Sequence, residues 1–245
     1  MKNKPIILIT AGPTREYIDP VRYISNDSSG EMGFALAEAA KKTGAKVTLI
    51  CGPLSVGHLF EKNPAKCRTL KGGYRQISVR HLNVVSAREM FEAVKKNYKK
   101  ADIIIMAAAV ADWRPFRCSS LKLKKRTIAP SGHRTIALVQ NPDILAWLGK
   151  HKRPNQILIG FALETENRLK HAQNKLKNKK CDIIVGNLAK NIGKKGGSAV
   201  IITKNGYKKH IKNTSKKAIA KAILAKCKVV DFRLFDGLNK SKIGG

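Results

Sequence analysis

Short apolar runs alternate with amphipathic stretches along the chain, and their spacing predicts strands and helices in turn. Residues 6–9, Ile-Ile-Leu-Ile, form a β-branched run of the kind buried in a parallel sheet. Met32, Leu36 and Ala39 recur at i, i+4 and i+7, the apolar face of a helix that ends near Gly44. Residues 46–51, Lys-Val-Thr-Leu-Ile-Cys, read as a second strand, so the first strand, the helix and this strand make a unit expected to be right-handed. Residues 52–73 are rich in Pro, Gly and Lys and predict a long surface loop, and 76–85 offer one or two short strands. Met90, Phe91, Val94 and Tyr98 carry the inner face of another helix. Residues 102–112, Asp-Ile-Ile-Ile-Met-Ala-Ala-Ala-Val-Ala-Asp, start as a central strand and end in small side chains. Residues 157–162 and 182–187 predict further strands, and in the helix between them Leu169, Ala172 and Leu176 face inward. Residues 199–203 and 208–211 read as a terminal hairpin turning at Asn205-Gly206, a sequence suited to a type I′ turn. A helix over 214–227 follows, capped by Thr214 or Ser215.

Residues 117–139 change character. Leu121-Lys-Leu-Lys-Lys alternates, residues 135–139 alternate more weakly, and Ala129-Pro-Ser-Gly lies between them. The pattern predicts an antiparallel hairpin inserted in the parallel fold. Lys122 and Lys124 share one face of its first arm. Two readings stay open: an edge strand guarded by lysine, or a mobile flap carrying ammonium groups to a triphosphate. After the hairpin, Asn141 caps a helix with Pro142 at its first position, and Glu164-Thr165 caps the next. His171, Lys175 and Lys179 stand four apart as a basic stripe, which by pattern alone is a solvated face.

A chain of 245 residues, 43% of them hydrophobic, has material for a substantial α/β core. No apolar run is long enough to span a membrane, and the N-terminus lacks a signal-peptide layout. The five cysteines are odd in number and include no Cys-x-x-Cys pair, which fits a reducing cytoplasm and argues against zinc or a disulfide frame. The net charge of +33 changes the picture most. It suits either a phosphate-neutralising nucleic-acid binder or an enzyme whose anionic substrates are drawn in by the field. The lysines are spread along the chain rather than interleaved with aromatics, which make up 6%, so the second reading is favoured and no specific nucleic acid is expected.

Candidate chemistry concentrates where strands end. After the first strand comes Thr10-Ala-Gly-Pro-Thr-Arg-Glu, a sharp turn at the end of the sheet where α/β folds bind ligands. It is neither a Gly-x-Gly-x-x-Gly fingerprint nor a Walker loop, which argues against a nicotinamide enzyme. Residues 22–33, Arg-Tyr-Ile-Ser-Asn-Asp-Ser-Ser-Gly-Glu-Met-Gly, open a helix. The small residues Ser28, Ser29 and Gly30 let backbone amides approach an anion, and Arg22 and Asn26 add a cation and a side-chain amide. The plainer reading is a polar loop with Ser28 or Ser29 as N-cap. Asp112, just past its strand, is expected to face the same crevice.

These motifs together resemble the phosphopantothenate–cysteine ligase family. The resemblance is carried, in order, by Thr10-Ala-Gly-Pro-Thr-Arg-Glu, the stretch from Asp19 to Gly33, Ala107-Ala-Ala-Val-Ala-Asp-Trp-Arg-Pro, Leu121-Lys-Leu-Lys-Lys, Gln140-Asn-Pro-Asp-Ile and Gly160-Phe-Ala-Leu-Glu-Thr. It implies one ligase domain over 1–227, with residues 228–245 an unassigned tail. The implied fold is a Rossmann-like, mostly parallel sheet with helices on both faces and an antiparallel hairpin that serves as flap and dimerisation element. The implied partners are CTP with Mg²⁺, 4′-phosphopantothenate, cysteine and a second copy of the chain. Carboxylate attack on CTP would give an acyl-cytidylate and pyrophosphate, and the cysteine amine would then release CMP. By the same resemblance, Asn26, Arg22, Ala109 and Lys122 act on the reacting groups. Met106, Ala107, Ala108, Asp112, Lys122, Pro142, Asp143, Ile144, Leu145, Phe161, Lys175 and Lys179 would hold the nucleotide, and Ser28, Ser29 and Gly30 would hold phosphopantothenate. In many bacteria the family's ligase is fused behind a flavin-dependent decarboxylase; this sequence starts at the ligase's first strand, so the expectation is a separate decarboxylase acting downstream. After Asn187, Asn191-Ile-Gly-Lys-Lys-Gly-Gly-Ser stands where the family shows a Phe and an Asp-x-Asn.

Overall fold

In the strand β1 (Ile6–Ala11), Ile7, Leu8 and Ile9 are all buried, with successive side chains entering opposite faces of the sheet. Ile7, Ile9 and Ala11 join one apolar layer, and Leu8 joins the other. A strand buried on both faces shows no polar alternation, which is why its sequence is a continuous apolar run. The computed structural model describes residues 4–54, 79–124, 135–164, 168–188 and 196–230.

Beside β1 lie β4 (Lys46–Cys51) and β5 (Arg80–Asn83) on one flank, and β6 (Ile103–Met106), β9 (Ile157–Glu164) and β10 (Ile183–Leu188) on the other. All six are parallel, and the chain builds outward from β1 to β5 before crossing back to β6. Neighbouring strands therefore leave the sheet in opposite directions at β1 and β6, the switch point where doubly wound sheets open a crevice. β11 (Gly196–Thr203) and β12 (Lys208–Ser215) extend the sheet antiparallel beyond β10. One face is covered by α1 (Glu31–Lys42) and α5 (Lys216–Val230), the other by α2 (Ala87–Asn97), α3 (Ile144–His151) and α4 (Arg168–Asn178). Two small antiparallel pairs stand outside this sheet: β2 (Arg15–Tyr17) with β3 (Tyr23–Ser25), and β7 (Trp113–Pro115) with β8 (Leu138–Gln140). The Rossmann-like α/β architecture expected from the sequence is thus the one observed.

Several local expectations are corrected. The buried face of α1 centres on Phe34, Leu36, Ala37 and Ala40, and Met32 and Ala39 are partly buried and pack against the same layer. Neither Ser28 nor Ser29 caps α1; Gly30 occupies that position at φ 71°, a conformation glycine adopts without strain. The pair observed here is β7 with β8, so β8 pairs with 113–115 and the described residues 121–124 are not its partner arm. Residues 121–124 form no strand, because the Leu123 amide is spent on the Asp19 carboxylate at 3.2 Å. Asn141 does not cap α3. Asp143 does, accepting from the Ala146 amide at 2.8 Å, and the helix starts two residues later than expected. At the turn of the terminal hairpin Gly206 takes positive φ, at 82°, and Asn205 does not, so the turn is not type I′. Ser215, one of the two expected caps, accepts from Ala218 at the start of α5. Residues 55–73 of the expected loop, residues 76–78 of the expected short strands, the hairpin segment 125–134, Thr165, the segment 189–195 and the tail from 231 lie outside the described residues.

Far from the switch point, at the amino ends of β9 and β10, Asp182 is 2% exposed and holds three partners. It accepts from the Leu158 amide at 2.8 Å, Lys152 at 2.8 Å and Lys204 at 2.7 Å. At the opposite, carboxyl end, the chain after β4 passes very close to the loop after β1. A Cβ at Gly52 would stand 1.7 Å from the Pro13 carbonyl oxygen, so glycine is the residue that permits this approach.

Candidate active site

The floor of the crevice is two loops laced together. Beyond β1 the chain runs Gly12-Pro13-Thr14; beyond β6 it runs through Ala107, Ala108 and Ala109. Ala109 donates to the Gly12 carbonyl at 2.9 Å and accepts from the Thr14 amide at 3.3 Å, and Pro13 bridges Ala109 in parallel fashion. Two threonine hydroxyls complete the lacing. Thr10 Oγ1 accepts from Ala108 at 3.2 Å and Thr14 Oγ1 from Ala111 at 3.0 Å. The sequence reading missed both threonines; their signal was position, one on each side of the Ala-Gly-Pro turn. The alanines keep this surface flat and partly open to solvent.

Asn26 lies across that floor. Its Nδ2 donates to the carbonyls of Ala109 at 3.3 Å and Val110 at 3.0 Å. Because both partners are acceptors, the amide orientation is fixed and Oδ1 points away from the loop. Ser25 ties the same segment down by donating to the Thr14 carbonyl at 2.7 Å. Ser28 Oγ accepts from the Gly30 amide at 3.3 Å, and α1 begins with no side-chain cap. The partial positive charge of that helix start is therefore not answered by a capping side chain.

Arg22 stands at the turn of the β2–β3 pair, at the end away from Asn26. Its guanidinium meets Asp19 Oδ2 at 3.0 Å and the Leu123 carbonyl at 3.1 Å, which brings residues 121–124, and exposed Lys122 with them, to the same side. Burial acts to raise the Asp19 pKa, but amides of Val21, Leu123 and Arg22 and the Arg22 charge outweigh it and hold the carboxyl below its ordinary value. Asp19 is a third residue the sequence reading passed over.

The far wall comes from β9 and α3. Met106 pairs with Gly160, so Phe161, midway along β9, stands beside Ala107 just past the end of β6, both packed on the same apolar layer. Leu145 lies over Gly160, Ile144 is buried, and Pro142 is half-buried beside them. Exposed Asp112 accepts from the Asn141 amide at 2.8 Å through its carbonyl, and Asn141 Nδ2 donates to Ala111 at 2.8 Å. Asn26, Asp112 and Phe161, drawn from three distant segments, thus all border the loop 107–112. Of the two helix lysines, Lys179 pairs with Asp143 at 2.5 Å, and Lys175 is near enough to act on the same carboxylate. Burial tends to raise the Asp143 pKa, but the Lys179 hydrogen bond, the Ala146 amide and the two lysine charges leave it lowered. The contribution of this cap and ion pair is complete above the unfolded value of 3.8 and fades as pH falls through the lower folded value.

The buried thiols do not compete for nucleophilic work. Burial pushes the thiols of Cys51, Cys181 and Cys227 up to about 12, so they stay protonated at neutral pH. Among the described residues no three His, Cys, Asp or Glu side chains cluster so as to hold a metal.

The family described as DNA/pantothenate metabolism flavoprotein C-terminal domain matches residues 2–230. The chain belongs to this family. A coenzyme A biosynthesis bifunctional protein CoaBC from Borreliella burgdorferi is 41% identical over 225 residues, 91% of this chain and 52% of that protein. A protein from an unknown prokaryotic organism, named cysteine/cysteine sulfinic acid decarboxylase, is 46% identical over 187 residues, 76% of this chain and 46% of that protein. The chain therefore spans about half the length of these curated relatives. Among solved structures, the crystal structure of the C-terminal domain of a CoaBC protein superposes with TM-score 0.72 at 35% identity, covering 94% of this chain and 96% of that one.

Proposed function

We propose that this chain is a phosphopantothenate–cysteine ligase that uses CTP and passes through an acyl-cytidylate. The observation that carries the reading is the convergence of Asn26, the 107–112 loop and Phe161 at the sheet's switch point. Met106, Ala107 and Ala108 offer a flat floor on which a base can lie, with Phe161 and Leu145 as apolar walls, Asp112 and Pro142 at the edge and Ile144 behind them. Ser28, Ser29 and Gly30, at the open start of α1, suit the phosphate of phosphopantothenate. The carboxylate oxygen attacks the α-phosphorus, the bond to the β-phosphate oxygen breaks, and pyrophosphate leaves. Lys122, Lys175 and Lys179 answer the charge that develops on it. The cysteine amine then attacks the acyl carbon beside Ala109, with Asn26 Oδ1 placed to accept a hydrogen bond from the amine, and CMP departs with the former carboxylate oxygen. Asp143 holds Lys179 in reserve until the triphosphate competes for it.

A protein cage for Mg²⁺ has no donor set among the described residues. The residues present fit an ion brought in on the triphosphate, with the exposed Asp112 carboxylate on the same loop, and such an ion would neutralise phosphate charge. Among the described residues no helix is long and apolar enough to cross a membrane, and a cytoplasmic location is part of the proposal. Purified chain given CTP, Mg²⁺, 4′-phosphopantothenate and cysteine is expected to yield CMP and pyrophosphate in equal amounts. Nucleotide left intact, with tight binding seen only to nucleic acid, would favour a polyanion-binding protein instead.

The proposed unit is a homodimer. Val21, Tyr23, Trp113, Phe116, Leu121 and Leu138 are all exposed on or beside the two small sheets, where β2 and β7 touch. Between those sheets and the start of α2 lies a groove of about 330 Å³ that includes Arg15, Arg88, Arg114 and Phe116. An apolar face gathered on one side of a chain of net charge +33 fits burial against a second copy. Light scattering at moderate salt, which relieves the self-repulsion, is expected to give twice the 27.0 kDa of one chain, and a monomer mass would oppose this.

A further inference from the structure

We propose that Asp19 is a positioning residue, latching residues 121–124 onto the Arg22 loop so that Arg22 and Lys122 face one ligand. The inference rests on the ligase reading for what that ligand is, but the latch is visible without it. Asp19 is fully buried, yet it lies in an irregular loop outside both apolar layers. Its two oxygens divide the work. Oδ1 accepts from the amides of Val21 at 2.8 Å and Arg22 at 2.7 Å, closing its own turn. Oδ2 accepts from the Arg22 guanidinium at 3.0 Å and from the Leu123 amide at 3.2 Å, 104 residues away. Arg22 returns the contact by donating to the Leu123 carbonyl at 3.1 Å, so Leu123 is held by both its backbone groups. The Ser119 amide adds a second tie, to the Ile18 carbonyl at 2.9 Å. Lys122, flanked by these two ties, has its backbone fixed while its side chain stays exposed.

This division makes Asp19→Asn an informative change. Asparagine keeps one carbonyl oxygen for the turn amides but presents an NH₂ where Oδ2 stood, facing the Leu123 amide and the guanidinium. The turn survives and the latch opens. Hydrogen exchange of the free protein is expected to show the Leu123 amide losing protection while those of Val21 and Arg22 keep theirs. In the ligation assay Asp19→Asn is expected to lower kcat/KM about tenfold, mainly through a higher KM for CTP, with the melting temperature nearly unchanged. Leu123→Pro removes the strap's donor and leaves Asp19 intact, which keeps the test alive if Asp19→Asn folds poorly. The two changes combined are expected to cost no more than the larger alone, because they break one contact. Full kcat/KM in Asp19→Asn with the Leu123 amide deprotected would overturn the positioning role, and so would undiminished protection of that amide. A wild-type protein without ligation would overturn the ligase reading, and the exchange data would then decide the latch by themselves.

Discussion

Asn26→Asp is expected to reduce kcat/KM for ligation by about a hundredfold or more while leaving the protein folded. The side chain is exposed, so its loss creates no cavity. Its Nδ2, however, is the donor that bridges the carbonyls of Ala109 and Val110. A carboxylate has no hydrogen to give and would set a charged oxygen against two carbonyl oxygens. It must rotate away or push the 107–112 loop off the Gly12 and Thr14 contacts that shape the floor. Either outcome moves the surface on which the nucleotide and acyl group would lie. Asn26→Ala, which removes the donor without adding repulsion, is expected to fall between the wild type and the aspartate variant. Steady-state kinetics with each substrate varied, beside a thermal melt, gives the comparison. Wild-type kcat/KM in the aspartate variant would remove Asn26 from the site.

Asp182→Ala is expected to cost about 3 kcal/mol of folding stability and to spare the chemistry. Three donors converge on this nearly inaccessible carboxylate, and its removal leaves the Leu158 amide unpaired between buried strands. It also leaves Lys152, whose side chain is 14% exposed, without its countercharge. Lys204 at 52% exposure loses less, since water replaces the carboxylate. The cluster lies at the amino ends of β9 and β10, across the sheet from the crevice, so turnover per folded molecule is expected to hold. Urea unfolding measures the difference, and a loss of well under about 1 kcal/mol would contradict the reading of Asp182 as a buried hub.

Much of this architecture was legible because parallel strands buried on both faces leave an unambiguous trace. Residues 46–51 and the run from Ile103 to Met106 became strands almost residue for residue. What the sequence could not reveal was partnership. Leu121-Lys-Leu-Lys-Lys carries a strand's alternation, yet its one described backbone donor to another segment goes to Asp19, and the pairing arm is the shorter Trp113-Arg-Pro. The same blindness to distant partners hid Thr10, Thr14 and Asp19, whose roles exist only across a separation of about a hundred residues. Cap positions failed for a local reason. Asn141 and Asp143 both suit a helix start around Pro142, and the choice fell to Asp143 because Asn141 is taken by Ala111 and Asp112. In the site, the resemblance supplied residue roles that pattern alone left open, above all for Lys175 and Lys179. The geometry adds that Lys179 is already engaged with Asp143.

The fate of one oxygen atom tests the central claim most directly. With both carboxylate oxygens of 4′-phosphopantothenate labelled with a heavy isotope, activation through an acyl-cytidylate carries one labelled oxygen into the phosphate of CMP and leaves the other in the new amide. Mass spectrometry of the nucleotide product is expected to show that singly labelled CMP, formed one for one with the amide. Amide formation with unlabelled CMP, or with the label in inorganic phosphate, would contradict the account.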